Sequence, residues 1–160
     1  MRRLALAFSL ALFVLLAGVA TSGCKDIQRL LPAKTIEDPD KDSPEYVVQQ
    51  IIKAAMNDDF EVAWKQFRPW LHSQQLQTHA SELNWKQFNF NAMHRNVKRL
   101  YLEDPTKPIF KVDYTEEIKD DQEIKVFVVN MASDMPTPVL LTRDPAANNE
   151  WRVRQCSLGL

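Results

Sequence analysis

The side chains best suited to proton transfer are three histidines, His72, His79 and His94, and two adjacent carboxylates, Asp58 and Asp59. Catalytic carboxylates must face one site from two different environments, and neighbours in a turn rarely do so. We therefore interpret Asp58 and Asp59 as turn residues. His72 and His79 lie in a Gln-rich polar segment that predicts an exposed loop, and His94 is expected near a helix end. This set predicts no catalytic residue.

Aromatic side chains between residues 64 and 90 could contribute apolar binding instead. They are Trp64, Phe67, Trp70, Trp85, Phe88 and Phe90. Core packing explains most of such a set, since aromatic residues dominate the interior of small domains. The alternative is that Trp64, Phe67, Trp70 and Trp85 line a pocket or an exposed patch that binds a small apolar ligand or a partner protein. Trp70, flanked by a proline and a leucine, is expected to lie outside the core.

Several classes of site have no motif in the sequence. No nucleophile motif, Gly-rich phosphate loop or zinc-ligand spacing occurs, and the chain holds only three glycines. We therefore predict neither a metal nor a cofactor. The formal net charge is −1, and without residues 1–23 it is −3, because 18 basic side chains then face 21 acidic ones. This mild acidity argues against nucleic acid as a partner.

Cys24 stands directly after an unusual N-terminal stretch. Residues 1–3 are Met-Arg-Arg, residues 4–20 are almost entirely apolar, and the small residues Thr-Ser-Gly precede the cysteine. These are the features of a secretory signal peptide. The Thr-Ser-Gly-Cys run also resembles the lipobox of bacterial lipoproteins, in which the cysteine thiol is diacylglycerated and the signal peptide is removed. The resemblance implies a signal peptide at residues 1–23, lipid on Cys24 and attachment to a membrane of the bacterial cell envelope.

Two other fates of this N-terminal stretch remain open. Cleavage nearby would release a soluble periplasmic protein, and an uncleaved run of about 20 apolar residues is long enough to span a bilayer. If Cys24 is lipidated, Cys156 is a lone thiol, expected to be a small buried residue. If Cys24 is not lipidated, the two cysteines of an exported protein could form a disulfide. Lys25, rather than an aspartate, follows Cys24, which by the rule of enteric bacteria favours the outer membrane over the inner one.

Residues 24–43 are predicted to connect the lipidated cysteine to the folded domain as a flexible tether. Pro32 and Pro39 block a continuous helix there, and the second half of the segment is mostly charged. The folded domain is predicted to span residues 44–160.

The hydrophobic period changes along that domain. Three amphipathic stretches begin at Ser43, Phe60 and about Ser81, and their apolar residues recur at helical spacing. Asn96–Glu103 is β-prone, and later residues alternate as strands do. The predicted strands are 109–115, 124–131, 139–142 and 151–156, the last two as a closing hairpin. Helices followed by antiparallel strands predict an α+β fold, with the N-terminal helices packed on a curved antiparallel sheet.

The order of these elements is similar to that of NTF2-like (cystatin-like cone) domains. Residues 43–67 resemble the opening of that family, where one helix ends in a short acidic or Asn turn and a second carries aromatic and small residues. Glu150–Arg154 resembles its last strand, which begins near a Trp. The resemblance covers about residues 44–158 and implies a cone-shaped pocket between helices and sheet. Some members of the family are isomerases or dehydratases, and many others only bind ligands or partners.

Together these observations predict an envelope lipoprotein whose domain binds a partner or a small apolar ligand without catalysis. One alternative is an enzyme of the isomerase or dehydratase kind, which needs an ionisable pair inside the pocket. Another is a structural role in envelope assembly, with the aromatic residues as pure core. The presence and lining of a cavity distinguish the three.

Overall fold

The computed structural model describes residues 31–119 and 121–160, so the predicted signal peptide, Cys24 and Asp120 lie outside the described residues. The chain from Ala33 to Leu160 forms one compact unit. Within the described ranges, no helix combines the length and apolarity needed to cross a bilayer.

The elements follow one another in an order of helices first and strands after, with one short strand in front. The helices are α1 (Pro44–Ala55), α2 (Phe60–Phe67), α3 (His79–Asn84) and α4 (Asn91–Leu100), with a π-helical turn at Trp85–Phe90 and 3-10 turns at Arg68–Trp70, Ser73–Leu76 and Pro145–Ala147. The strands are β1 (Lys34–Ile36), β2 (Phe110–Lys119), β3 (Glu123–Val128), β4 (Thr137–Asp144) and β5 (Glu150–Cys156).

The first two helices begin where the sequence predicts. The hydroxyl of Ser43 accepts a hydrogen bond from the backbone N–H of Tyr46 at 3.2 Å, and a proline occupies the first helical position of α1. The carboxylate of Asp59 caps α2 by accepting from two backbone N–H groups, at 2.9 and 3.0 Å. The interpretation of Asp59 as a turn residue is therefore confirmed.

The third helical stretch consists of α3, the π-helical turn and α4. A π-helical turn holds more residues than an α-helical one. Trp85 and Phe90, five positions apart, are consequently both buried, whereas Phe88 is 63% exposed. The stretch continues to Leu100, so the prediction of a β-prone segment at 96–103 is wrong. Val97 and Leu100 are buried on the inner side of α4, and this burial outweighs the preference of valine for strands.

The sheet is antiparallel throughout, with the strands in the order β1-β2-β3-β4-β5. The closing hairpin of β4 and β5 is confirmed, and its turn places Asn148 and Asn149 in the left-handed region, with φ of 54° and 58°. Among the described residues, three helical stretches (α1, α2, and α3 with α4) pack against this curved sheet, which confirms the α+β prediction. The core lies between the two layers.

Strand β1 lies inside residues 24–43, the segment that the sequence assigns to a flexible tether. Ile36 pairs with Phe110 and buries its side chain in the core. The amide of Gln49 also donates to the carbonyls of Glu37, at 2.6 Å, and Pro108, at 3.3 Å. Because of these contacts of Ile36 and Gln49, the folded unit begins at about residue 33 and not at residue 44.

Candidate functional site

A cleft of about 380 Å³ opens between the β4–β5 hairpin, the start of α1 and the 3-10 turn that ends at Trp70. Its walls are aromatic and its rim is charged or polar. It is lined by Lys41, Asp42, Tyr46, Val47, Trp70, Arg143, Asn148, Asn149, Glu150, Trp151 and Arg152. Four aromatic residues were predicted to bind a ligand or partner, and of these Trp70 lines the cleft whereas Trp64, Phe67 and Trp85 do not.

The chain after Trp70 determines where this side chain lies. Leu71 forms a parallel bridge with Val153, and the backbone N–H of His72 donates to the Val153 carbonyl at 2.9 Å. The segment therefore runs along the free side of β5. Trp70 is half-buried at the start of this segment, next to Arg152 on the neighbouring strand.

Two arginines stack on two tryptophans in the cleft. The guanidinium of Arg143 lies 4.1 Å from the ring centroid of Trp151, and that of Arg152 lies 5.5 Å from the ring of Trp70. Tyr46 meets Trp70 edge to face, with ring centroids 5.9 Å apart. Cation–π contacts at these distances stabilise an arginine on an aromatic face.

The two arginines differ in how their charge is balanced. Arg152 forms an ion pair with Glu150 at 2.7 Å and donates to the Trp151 carbonyl at 3.0 Å. Arg143 donates to the Asn149 carbonyl at 3.2 Å, and within the described ranges it has no ion pair with a carboxylate. Tyrosine, tryptophan and arginine are also the residues most enriched at the energetic centres of protein interfaces.

A buried carboxylate holds the hairpin that carries Arg143 and Trp151. Asp144 accepts hydrogen bonds from the backbone N–H of Ser73 at 2.7 Å, the hydroxyl of Ser73 at 2.9 Å and the backbone N–H of Ala146 at 3.0 Å. Burial by itself raises the pKa of Asp144, but these hydrogen bonds and nearby His72 outweigh it and lower the pKa below 3.8. The carboxylate stays ionised and ties the hairpin to the segment after Trp70.

His72, Asp144 and Ser73 lie together but do not form a catalytic triad. His72 is only 4% exposed, so the prediction of an exposed loop histidine is wrong. Its Nε2 is 4.0 Å from Asp144 Oδ1, and its Nδ1 accepts from the backbone N–H of Gln74 at 3.2 Å. The Ser73 hydroxyl donates to the aspartate rather than to the histidine, so the serine–histidine hydrogen bond of a catalytic triad is missing. The cluster is a buried structural contact.

The other three predicted binding residues are core residues. Phe67 is fully buried, and Trp64 and Trp85 are buried beside it. The Phe67 ring lies 4.7 Å from that of Phe90, and the Trp85 indole N–H donates to Gln75 Oε1 at 2.9 Å. Because they are buried, these three residues cannot contact a ligand at the surface. They pack in the core, as the first of the two interpretations of the aromatic set states.

The remaining acid–base candidates serve local structure. Lys98 donates to Asp58 at 2.6 Å, and this hydrogen bond lowers the pKa of the exposed carboxyl of Asp58. His94 lies within α4, where its Nε2 contacts the carbonyl oxygen of Asn57 at 2.8 Å and its ring packs edge-on against Phe60. His79 is the exposed first residue of α3.

The thiol of Cys156 is buried in β5, and burial raises its pKa to about 12. Such a thiol is not a nucleophile at neutral pH. Among residues 31–119 and 121–160, no group of three or more histidine, cysteine or carboxylate side chains is arranged to hold a metal ion.

A mostly apolar cavity lies at the opposite side of the sheet, against β1 and β2. Its volume is about 100 Å³, and Tyr101, Ile109, Phe110 and Met131 are among its lining residues. This is below the range of about 300–1,000 Å³ that is typical of small-molecule sites.

Sequence reasoning missed Tyr46, Arg143, Trp151 and Arg152 as members of the site. The last three are adjacent in the hairpin, where an arginine and a tryptophan face each other across strands. Cross-strand neighbours of this kind can be found once the hairpin register is known, but Tyr46 reaches the site only through the packing of α1.

No protein-family model, curated protein or solved structure matches this chain.

Proposed function

We propose that this protein is a bacterial envelope lipoprotein, anchored by lipid on Cys24, whose domain binds a partner protein without catalysis. The N-terminal signal with its Thr-Ser-Gly-Cys run supports the anchor. The observation that carries the binding function is the cleft in which Arg143 stacks on Trp151 and Arg152 on Trp70. Rigid aromatic side chains and stacked arginines are what the centre of a protein interface requires.

A protein partner fits this geometry better than a small apolar ligand does. The mostly apolar cavity of about 100 Å³ is small for a ligand, whereas the cleft of about 380 Å³ has a charged rim. The enzyme alternative needs an ionisable pair that faces a substrate. Asp144 and His72 are instead buried and committed to hydrogen bonds within the chain.

We also propose that the domain is NTF2-like. In support, three helical stretches precede a meander of four antiparallel strands, and Trp151 is the second residue of the last strand. The helices and the sheet enclose a core that contains Phe67 and Phe90. Superposition of an experimental structure on known NTF2-like domains tests this assignment.

The anchor is tested by metabolic labelling with a fatty acid in a bacterial host. We expect label on the full-length protein, none on Cys24→Ala, and a mature mass that corresponds to a chain beginning at residue 24. Density-gradient separation of the membranes should place the labelled protein in the outer membrane. If the protein takes up no fatty acid and its mass shows an unmodified Cys24, the anchor is refuted and a soluble periplasmic protein is favoured.

The partner-binding function is tested by photo-crosslinking in living cells. A photoreactive residue at position 70 should yield a discrete crosslinked product. The same residue at position 134, exposed in the β3–β4 loop, should not. Identical products from both positions, or none from position 70, would contradict a binding site at the cleft.

A further inference from the structure

Of the two arginines of the cleft, Arg143 is the one that forms no ion pair with a carboxylate in the described part of the chain. Its guanidinium lies over the ring of Trp151, 4.1 Å from the centroid, and its described hydrogen bond is to the carbonyl of Asn149. A guanidinium has five N–H donors in a planar fork. Most of this fork is therefore left for another acceptor.

The neighbouring acidic groups do not meet that need. Glu150 pairs with Arg152, and Asp42 is exposed at the rim beside Lys41. The five charged lining residues sum to +1, whereas the whole chain carries −1. The cleft is thus a locally positive site on a mildly acidic protein.

The aromatic walls add a second recognition element next to this cation. Trp70 is half-buried, and Tyr46 supports it edge-on. A volume of about 380 Å³ accommodates a short peptide segment rather than a single side chain. Planar guanidinium groups prefer carboxylates, which they bind through two parallel hydrogen bonds.

We infer that the cleft binds a segment of its partner in which a carboxylate side chain stands next to an aromatic one. The carboxylate pairs with the N–H fork of Arg143, and the aromatic side chain packs on Trp70. This inference rests on the proposed partner-binding function and names the chemistry of the partner.

The experiment compares two peptides that differ by one charge. Acetyl-Glu-Phe-amide and acetyl-Gln-Phe-amide are titrated into the full-length protein in detergent micelles, and the indole N–H resonances of Trp70 and Trp151 are followed by NMR. We expect the Glu peptide to bind about tenfold or more tightly than the Gln peptide, since hydrogen bonds between charged groups are the stronger ones.

Variants identify the residue that recognises the charge. Arg143→Gln should bind both peptides with the weaker affinity, and Arg143→Lys should lose most of the discrimination because an ammonium group lacks the fork. Arg154→Gln is the matched control: Arg154 is exposed on β5, the strand paired with β4, and does not line the cleft, so discrimination should be unchanged. If Arg143→Gln does not fold, the Arg143→Lys variant and the wild-type comparison still decide the question.

Three results would overturn the inference: equal affinity of the wild type for both peptides, no saturable shift with either, or full discrimination by a folded Arg143→Gln variant. The photo-crosslinking at position 70 is independent of these titrations. A discrete crosslink with no charge discrimination would leave the partner site in place and reject the acidic-aromatic segment as its ligand.

Discussion

Replacing Asp144 with asparagine should destabilise the protein far more than other single-charge changes. The carboxylate accepts three hydrogen bonds, two from Ser73 and one from the backbone N–H of Ala146. Asparagine keeps one acceptor oxygen, so at least one of these donors then faces an amide NH₂ group. A buried donor without a partner costs about 1–3 kcal/mol, and the bonds that remain lose their charge assistance. We therefore expect the free energy of unfolding to fall by about 3 kcal/mol.

Urea unfolding at pH 7, followed by tryptophan fluorescence, measures this loss. The midpoint should fall while the slope with urea concentration is unchanged. Asp134→Asn, at an exposed loop position, should stay within about 0.5 kcal/mol of the wild type. In a double-mutant cycle, Ser73→Ala and Asp144→Asn should show a coupling of about 1 kcal/mol or more. A loss below about 1 kcal/mol for Asp144→Asn, or purely additive effects, would refute the reasoning.

The same contacts predict how the effect depends on pH. The pKa of Asp144 is lowered in the folded protein, so its contribution is fully present above the ordinary value of 3.8 and is lost as the pH falls through the folded value. The difference between wild type and Asp144→Asn should therefore be constant from pH 5 to 7, within about 0.5 kcal/mol. It should shrink in more acidic solution. A difference that grows below pH 4 would contradict this sign.

Two substitutions and one labelling experiment probe the core. Thr142→Val should raise the free energy of unfolding by about 1 kcal/mol, because the buried Thr142 hydroxyl has no hydrogen-bond partner among the described residues; an unchanged or lower melting temperature would contradict this. Cys156 should react with a thiol reagent only after addition of denaturant, since its thiol is buried with a pKa of about 12; rapid labelling of the native protein would count against that burial. Phe67→Ala should lower the free energy of unfolding, measured by calorimetry, by about 3–5 kcal/mol. Val62→Ala, at a partly exposed position, should lower it by less than about 1 kcal/mol. Similar losses for the two variants would place Phe67 outside the core.

The fold was predictable from the sequence wherever local signals act alone. Ser43 and Asp59 cap helices through their own side chains, and the β4–β5 hairpin follows from two alternating segments around a turn. Strand β1 was not predicted, because a segment of three residues between two prolines is too short to show the alternation of apolar and polar residues that indicates a strand. It is held by Ile36 in the core and by the side chain of Gln49 from α1, the helix that follows it.

The candidate site was less accessible to sequence reasoning for a related reason. The proline and leucine beside Trp70 indicated a position outside the core, and Trp70 is half-buried, but helical spacing alone could not show that Trp64, Phe67 and Trp85 are all buried. The distinction arises at the 3-10 turn that follows α2, where the chain leaves the helix and joins β5. His72 is buried by that same junction, which no local polar composition indicates.

Strand β1 would have a mechanical consequence if the proposed lipid on Cys24 holds the protein to a membrane. A pull on the chain upstream of Ala33 reaches the domain through the three residue pairs between β1 and β2. The next contact along the chain is the hydrogen bond from the side-chain amide of Gln49 to the carbonyl of Glu37. Short edge strands open at lower cost than the central ladder. Under load, β1 should therefore detach first and lengthen the connection, while β2–β5 and the cleft at the far edge of the sheet keep their shape.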